Sequence, residues 1–316
     1  MSENIVRGTF VLFIVLLALL VQVSLAQASD APAAFGATFI KHRVLGIRVH
    51  MVVVDLNDPS YEVGVALSRG GLRTSESFVS MVNRTRPVAA ITGTFFCTRS
   101  LIPVGDIVID GRRVHRGPIG ASLAFTFDNR VAIHAAGKGA RIDWTGCAAG
   151  LRSGPQLISG GLIRIDARRE GFRDRGLFGR RLRSAIGVTS KNKLLLVAVR
   201  TPVTFSELAK VMRRLGAVEA VNLDGGSSTA LSYGGKIKVW PGRRLTNVIV
   251  VTKRKPFVPR NAPVPIAAPL PAPRPDGISA SPPASVPTKP PVVAQAPEQH
   301  AALPEKPFSM ERLLNR

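Results

Sequence analysis

The sequence has few of the residues on which metal and redox chemistry rests. Only two of its 316 residues are cysteine, and no histidine lies at a ligand spacing from Cys97 or Cys147. We therefore predict neither a zinc site nor a catalytic thiol. No Asp, Asn or Glu cluster has the spacing of a cation-binding loop, and no organic cofactor is predicted. The metal requirement stays open, because Asp224 remains a candidate ligand for a divalent cation.

Acidic residues are also scarce. The chain has 20 Asp and Glu against 43 Lys and Arg, a formal net charge of +23, which favours polyanionic partners. A nucleic-acid partner would be supported by charge alone, and it fits badly with the export that the N-terminus predicts. Anionic carbohydrate or sugar phosphate is therefore the predicted partner. Eight arginines lie in residues 164–183, a glycine-containing segment that we predict to be a loop or flap. It is either a solvated basic surface or a lid beside an anionic substrate.

Long apolar runs are missing except at the N-terminus. Arg7 precedes an apolar run at residues 10–20, and Ala26-Gln27-Ala28 has the small residues that signal peptidase needs. The run is short for a membrane span of about 20 residues. We therefore predict that residues 1–28 are a signal peptide, which touches the membrane only transiently, and that the mature protein is periplasmic or secreted. An uncleaved signal anchor is the alternative.

Export has a consequence for the cysteine pair. In an oxidising compartment, two cysteines predict one disulfide, here between Cys97 and Cys147. Two separate buried thiols are the alternative.

The C-terminal part differs sharply in composition from the rest. Residues 256–307 contain 16 of the 24 prolines, together with Ala, Val and Ser. Such a segment cannot bury a core, so we predict a disordered tail that acts as a spacer. Residues 308–316 form a short basic C-terminal segment.

Residues 37–255 have the length of one globular domain. Short runs rich in β-branched residues, separated by turn residues, predict many strands and several hairpins. Two helices are predicted, at residues 75–82 and 204–215, the second with a capping box from Thr204 and Glu207. The predicted fold is α+β: a single domain of mixed or antiparallel β-sheet with a few helices.

The most informative motif is at residues 218–229. A short apolar strand ends at Asp224 and is followed by two glycines and three hydroxyl residues. The glycines allow a sharp turn and an anion-binding nest of backbone N–H groups. A carboxylate beside such a nest suits a substrate with a phosphate next to the bond that breaks; an ordinary Asp-Gly turn is the alternative. The predicted substrate-binding residues here are Asn222, Gly225, Gly226, Ser227 and Ser228.

Three segments resemble the phosphodiester glycosidase family. Residues 90–96, 183–187 and 222–229 are similar to the family's Asn-Gly-Gly-Phe-Phe, Arg-Thr-Ala-Ile-Gly and Asn-Leu-Asp-Gly-Gly-Ser segments. The likeness covers nearly the whole predicted domain. The chain departs from the pattern at Thr92, where the family has Asn, and at Thr94, where it has the second Gly. These departures concern the sugar specificity more than the type of reaction.

The resemblance implies hydrolysis of the glycosidic bond of a sugar-1-phosphodiester in an envelope or extracellular glycan. The departing phosphate is already acidic, so it needs charge stabilisation more than a proton, and one principal carboxylate suffices. Asp224 is the predicted nucleophile or general base, and Arg183 the predicted phosphate ligand. Gly93 and Thr94 would line the pocket. The alternative is a non-catalytic protein that binds anionic envelope polysaccharide through residues 164–183.

Overall fold

The computed structural model describes residues 36–254. The predicted signal peptide (1–28), the proline-rich tail (256–307) and the basic segment (308–316) lie outside the described residues, so they stay predictions. Over the part of the chain that is described, no helix has both the length and the apolar character needed to cross a membrane.

Most of the described chain forms β-strands. The strands are β1 (Ala37–Val44), β2 (Ile47–Asp55), β3 (Tyr61–Leu67), β4 (Ala89–Thr92), β5 (Gly105–Ile109), β6 (Arg112–Pro118), β7 (Ala121–Thr126), β8 (Val131–His134), β9 (Cys147–Ser153), β10 (Gln156–Ser159), β11 (Leu162–Ile163), β12 (Arg181–Thr189), β13 (Lys193–Val203), β14 (Ala217–Leu223), β15 (Leu231–Tyr233), β16 (Lys236–Val239) and β17 (Asn247–Lys253). The helices are α1 (Phe78–Thr85), α2 (Arg175–Phe178) and α3 (Phe205–Arg214), and a 3-10 turn spans Gly226–Ser228.

The strands form three sheets. The first has the order β1-β2-β13-β12-β14-β10-β11, the second β16-β15-β4-β17-β3 and the third β6-β5-β9-β7-β8. Every strand pair among these residues is antiparallel. The predicted α+β fold, a single domain of sheet with a few helices, is confirmed, and its sheets are antiparallel.

The first sheet is buried on both faces. Since side chains alternate along each strand, neighbouring residues of one strand belong to different core clusters. Ile186 of β12 belongs to a core cluster that joins residues of all three sheets. Its neighbour Ala185 belongs to a second cluster, under α3, with Leu208 and Met212. Odd-numbered residues at the start of β12 therefore point towards α3, which decides the position of Arg183.

Both predicted helices are present, but the first of them, α1, lies further along the chain than predicted. The capping box of Thr204 and Glu207 is present and begins α3 at the predicted place. The helix predicted at residues 75–82 instead begins after Ser77, whose side chain accepts the Ser80 N–H. The residue before this cap cannot be helical, because Glu76 pairs with Leu245 in an isolated β-bridge.

Candidate functional site

Asp224 lies where the first sheet meets the second. It follows β14, and its backbone N–H donates to the carbonyl of Gly93, just after β4, at 3.0 Å. Gly225 passes so close to β12 that a Cβ here would lie 2.7 Å from the Leu182 carbonyl oxygen. Gly226 has a φ of 58°, which favours glycine. The geometry of the turn therefore requires both glycines.

The Asp224 carboxyl group is nearly enclosed, since only 7% of the residue is exposed. Burial raises its pKa to about 6; the Ser228 hydroxyl, the Gly225 N–H and the charge of Arg243 oppose this rise. Asp224 Oδ1 accepts the Gly225 N–H at 2.8 Å. A carboxyl group with this pKa is mostly ionised at pH 7, so it can serve as a nucleophile or a base near neutral pH.

The turn has free backbone donors, but the predicted nest of Gly225 and Gly226 N–H groups is only partly available. The N–H of Gly225 donates to Asp224 and is therefore not available to a substrate. The N–H groups of Gly226 and Ser227 have no acceptor within residues 36–254. The available donor pair is thus one residue further along the chain than predicted, at the exposed Ser227.

Buried polar atoms without a hydrogen-bond partner are concentrated around this turn. Of six such atoms in the described part of the chain, five lie in the turn or beside it, and the sixth is His50 Nδ1. Buried polar groups are normally paired, so unpaired ones in one place are typical of a site that a ligand or water fills. The five atoms are Ser153 Oγ, Ser184 Oγ, Asn222 Oδ1, Ser228 Oγ and Thr229 Oγ1.

Asn222 is held in place by the neighbouring backbone. Its Nδ2 donates to the carbonyls of Gly154 and Leu223, both at 2.8 Å, which leaves Oδ1 without a partner. No hydrogen bond joins Asn222 to Asp224 within the described residues. The Ser228 hydroxyl lowers the pKa of Asp224, although it makes no hydrogen bond of standard geometry. Ser228, rather than Asn222, therefore acts on the pKa of the carboxyl group.

Gly93 and Thr94 are adjacent to Asp224, and an asparagine that the sequence analysis missed holds them. The Thr94 N–H donates to Asn247 Oδ1 at 2.8 Å, and Asn247 Nδ2 donates back to the Thr94 carbonyl at 3.2 Å. A Cβ at Gly93 would lie 2.0 Å from Asn247 Oδ1. The Thr94 hydroxyl donates to the Arg152 carbonyl and is not free. The sequence feature that could have identified Asn247 is its position, as a polar residue at the start of a strand rich in β-branched residues.

Arg183 does not lie where the phosphate ligand was predicted. Its side chain is in the α3 layer, 1% exposed, with the guanidinium 4.0 Å from the centre of the Phe205 ring. It donates to the carbonyls of Val203, Leu177 and Gly179 at 3.1, 2.6 and 2.8 Å. Burial lowers its pKa to about 10. These contacts tie β12 to β13, to α2 and to Gly179 just after it.

A different arginine faces the Asp224 turn. Arg243 is exposed, its Nε donates to Ser227 Oγ, and its charge lowers the pKa of Asp224. Its guanidinium is 5.8 Å from the centre of the Phe96 ring. Trp240, in the same β16–β17 loop, is 65% exposed. No local pattern predicts Arg243 as a site residue, because only the tertiary fold brings residues 240–246 next to the turn.

A second buried carboxyl group lies close to Asn222. Glu170, which the sequence analysis counted only as part of the arginine-rich segment, is 1% exposed. Its oxygens accept the N–H groups of Gln156 and Ala121 at 2.9 and 3.1 Å. A Cβ at Gly154 would lie 2.4 Å from Glu170 Oε2. Burial raises the pKa of Glu170 to about 7. This carboxyl group anchors the arginine-rich segment to β7 and β10.

Glu170→Gln is expected to destabilise the protein more at pH 5 than at pH 8. The folded pKa of Glu170 is raised from 4.5 to about 7, so the native protein loses stability as the pH rises through this window. Glutamine does not titrate, so the loss in free energy of unfolding that the substitution causes is smaller at pH 8 than at pH 5. Urea unfolding at both pH values measures this cost. The exposed Glu62→Gln is the control, and an equal cost of Glu170→Gln at both pH values would contradict the assignment.

The predicted disulfide is not formed, because Cys97 and Cys147 are free thiols in different surroundings. Cys147 is buried in a small cluster with Val108 and Trp144, and its Sγ donates to the Ala149 carbonyl. Cys97 lies in the loop after β4, where its Sγ accepts the Ser100 N–H at 3.4 Å. The even cysteine count therefore did not reflect a covalent pair.

No metal-binding group was found among the described residues. Residues 36–254 contain no set of three or more His, Cys, Asp or Glu side chains positioned to hold a metal ion. Two pockets in this part of the chain, of about 250 and 340 Å³, are lined by neither Asp224 nor Arg183.

The sequence profile of the phosphodiester glycosidase family matches residues 85–252, just over half of the 316-residue chain. The matched region contains Asp224, Arg243, Asn247 and Glu170. No curated protein matches this chain significantly.

Solved structures show a similar fold. A hypothetical protein from Synechocystis has a TM-score of 0.56 and 19% identity, over 72% of this chain and 65% of that chain, so this chain spans just under two thirds of its length. The catalytic domain of zebrafish N-acetylglucosamine-1-phosphodiester alpha-N-acetylglucosaminidase, auto-inhibited by its pro-peptide, has a TM-score of 0.58 and 20% identity, over 72% and 85%. A protein from Burkholderia pseudomallei has a TM-score of 0.50 and 16% identity, over 65% and 74%. At these identities the likeness concerns the fold alone, and it is the profile match that identifies the chain as a member of the phosphodiester glycosidase family.

Proposed function

We propose that this protein is an exported hydrolase that cleaves the glycosidic bond of a sugar-1-phosphodiester in an envelope or extracellular glycan. Family membership supports the type of bond. The observation that carries the proposal is the group of unpaired buried polar atoms around Asp224. A carboxyl group with a raised pKa, beside orphaned hydroxyls and next to Arg243, suits a polar substrate that carries negative charge.

The reaction adds water across the bond between C1 of the sugar and the phosphate oxygen. The products are a free sugar and a phosphate monoester, and the leaving phosphate needs no proton at neutral pH. Asp224 acts either as the nucleophile on C1 or as the base that removes a proton from water. Distance to C1 would decide between these roles and the anomeric outcome.

Arg243 takes the phosphate-binding role that the sequence analysis gave to Arg183. Its guanidinium is exposed and next to Ser227, so it can form charge-assisted hydrogen bonds with phosphate oxygens. The N–H groups of Gly226 and Ser227 add two neutral donors on the same turn. The exposed ring of Trp240 offers a stacking surface for a sugar at the edge of the site.

A release assay tests the proposal. Purified full-length protein is incubated with a panel of sugar-1-phosphodiesters, with and without a chelator, and reducing sugar and phosphate monoester are quantified. We expect equal amounts of both products from at least one substrate, and none from the matched Asp224→Asn protein. The chelator arm determines the metal requirement.

The non-catalytic alternative predicts the opposite pattern. A binder of anionic envelope polysaccharide would release no sugar from any substrate. It would lose binding when arginines of residues 164–183 are neutralised, and it would not respond to Asp224→Asn. The orphaned polar atoms around Asp224 favour the enzyme, because a binder that used residues 164–183 would leave them without a role.

A further inference from the structure

We propose that a pocket on the third sheet binds a phosphate group, at a place distinct from the Asp224 turn. The pocket has a volume of about 250 Å³ and is lined by β5, β6, β9 and residues 139–142. Drug-sized ligands occupy about 300–1,000 Å³, so this space suits one phosphate with a small part of the group that carries it. The inference concerns binding and does not depend on the proposed hydrolysis.

The charge of the pocket is strongly positive. Four arginines line it, Arg113, Arg116, Arg141 and Arg152, against one acidic residue, Asp106. None of the four arginines forms an ion pair within residues 36–254. A pocket with this excess of guanidinium groups attracts an anion.

The single carboxylate forms no ion pair with the arginines among the described residues, because its oxygens accept two other donors. Asp106 is 3% exposed. Its Oδ1 accepts the Gly117 N–H and its Oδ2 accepts Trp144 Nε1, both at 2.9 Å. Asp106 therefore shapes the wall of the pocket by joining β5 to β6 and to the segment before β9.

Arg152 is the most deeply buried of the four arginines. It is 1% exposed and donates to the carbonyls of Gly120, Ala140 and Gly137 at 2.8, 3.0 and 3.0 Å. Two of its five N–H groups remain without an acceptor among the described residues. A buried cation without a hydrogen-bonded counter-charge is costly. Burial lowers the pKa of Arg152, and the charges of Asp106 and Glu170 oppose this fall without cancelling it. An anion in the pocket would remove this cost.

An irregularity of β6 brings two of the arginines together. Residues three apart on a regular strand face opposite sides of the sheet. The pairing of β6 with β5 shifts twice between Gly105 and Val108, so that Arg113 and Arg116 both line the pocket. Such bulges re-aim side chains and are frequent at functional sites. Arginines contributed to one pocket by β6, β9 and the loop suit the tetrahedral, multiply charged phosphate.

Calorimetric titration with inorganic phosphate, in buffer containing 150 mM NaCl, tests the proposal. The full-length protein carries Asp224→Asn, so that the result is independent of turnover. It also carries Arg243→Gln, which removes the phosphate-binding guanidinium proposed for the Asp224 turn, so we expect saturable binding of one phosphate per chain. The triple variant Arg113→Gln, Arg116→Gln and Arg141→Gln should bind at least tenfold more weakly. These three side chains are exposed, so the fold should persist, and thermal melting checks this.

A second triple variant separates a specific site from the general charge. Arg200→Gln, Arg213→Gln and Arg214→Gln remove the same charge from exposed positions outside the pocket and should leave binding unchanged. Equal weakening in both triple variants, or no saturable binding by the parent protein, would overturn the proposal. Titration with a sugar 1-phosphate distinguishes the sources: tighter binding than inorganic phosphate indicates a glycan-borne group, and weaker binding indicates free phosphate.

Discussion

Asp224→Asn is expected to lower the turnover of a sugar-1-phosphodiester by about a thousandfold or more, with the fold intact. The substitution keeps the shape of the side chain but removes the negative charge that attacks C1 or accepts a proton from water. The measurement is kcat for release of reducing sugar, with circular dichroism as the check on folding. An unimpaired Asp224→Asn enzyme would contradict the assignment of Asp224.

The same substitution is expected to stabilise the protein at neutral pH. Burial raises the folded pKa of Asp224 from 3.8 to about 6, which means that the folded state resists ionisation of this group. The wild-type protein therefore loses up to about 3 kcal/mol of stability as the pH rises from 3.8 to above 6. Asparagine carries no such cost. Urea unfolding should show Asp224→Asn more stable than wild type at pH 7.5, with the gain gone near pH 4.

Loss of activity together with a gain in stability is the expected sign of a functional carboxyl group. A carboxyl group with a purely structural role would stabilise the fold, and its replacement would lower stability at pH 7.5. A destabilised Asp224→Asn protein at neutral pH would therefore show that the carboxylate holds the turn together instead of acting on a substrate.

Arg243→Gln is expected to lower kcat/KM for phosphodiester substrates by about a hundredfold, with little effect on neutral glycosides. Loss of one charged donor to a developing negative charge has an effect of this size. The fold should be unaffected, because Arg243 is exposed and its side chain bonds only to Ser227 in the described residues. The neighbouring Arg244→Gln is the matched control, since Arg244 donates to the Ser75 carbonyl instead. Equal losses for charged and neutral substrates would argue against phosphate contact.

Arg183→Ala should act in a different way from Arg243→Gln. It removes a buried guanidinium that donates to three carbonyl groups, and it leaves those acceptors and a cavity behind. We expect a loss of about 3–5 kcal/mol in the free energy of unfolding. A stable Arg183→Ala protein with a selective loss of phosphodiester turnover would restore Arg183 as the phosphate ligand.

The fold was predictable to the extent that it rests on local patterns. Thr204 and Glu207 lie three residues apart, so their capping box depends on one turn of chain and was confirmed. The predicted start of α1 was wrong, because the position of Glu76 is set by its bridge to Leu245, which is distant in sequence. The disulfide was wrong for the same kind of reason, since the cysteine count says nothing about whether two thiols face each other.

The sequence by itself determined the α+β fold, the Gly-Gly turn after Asp224 and the family, because each follows from short segments read in order. Only the tertiary structure decided which groups surround Asp224. It placed Arg243 and Asn247 near the turn, and it directed Arg183 towards α3. The reason is physical: the side of a sheet that a residue faces and the loop that meets it depend on strand pairing across the chain, which no local pattern records.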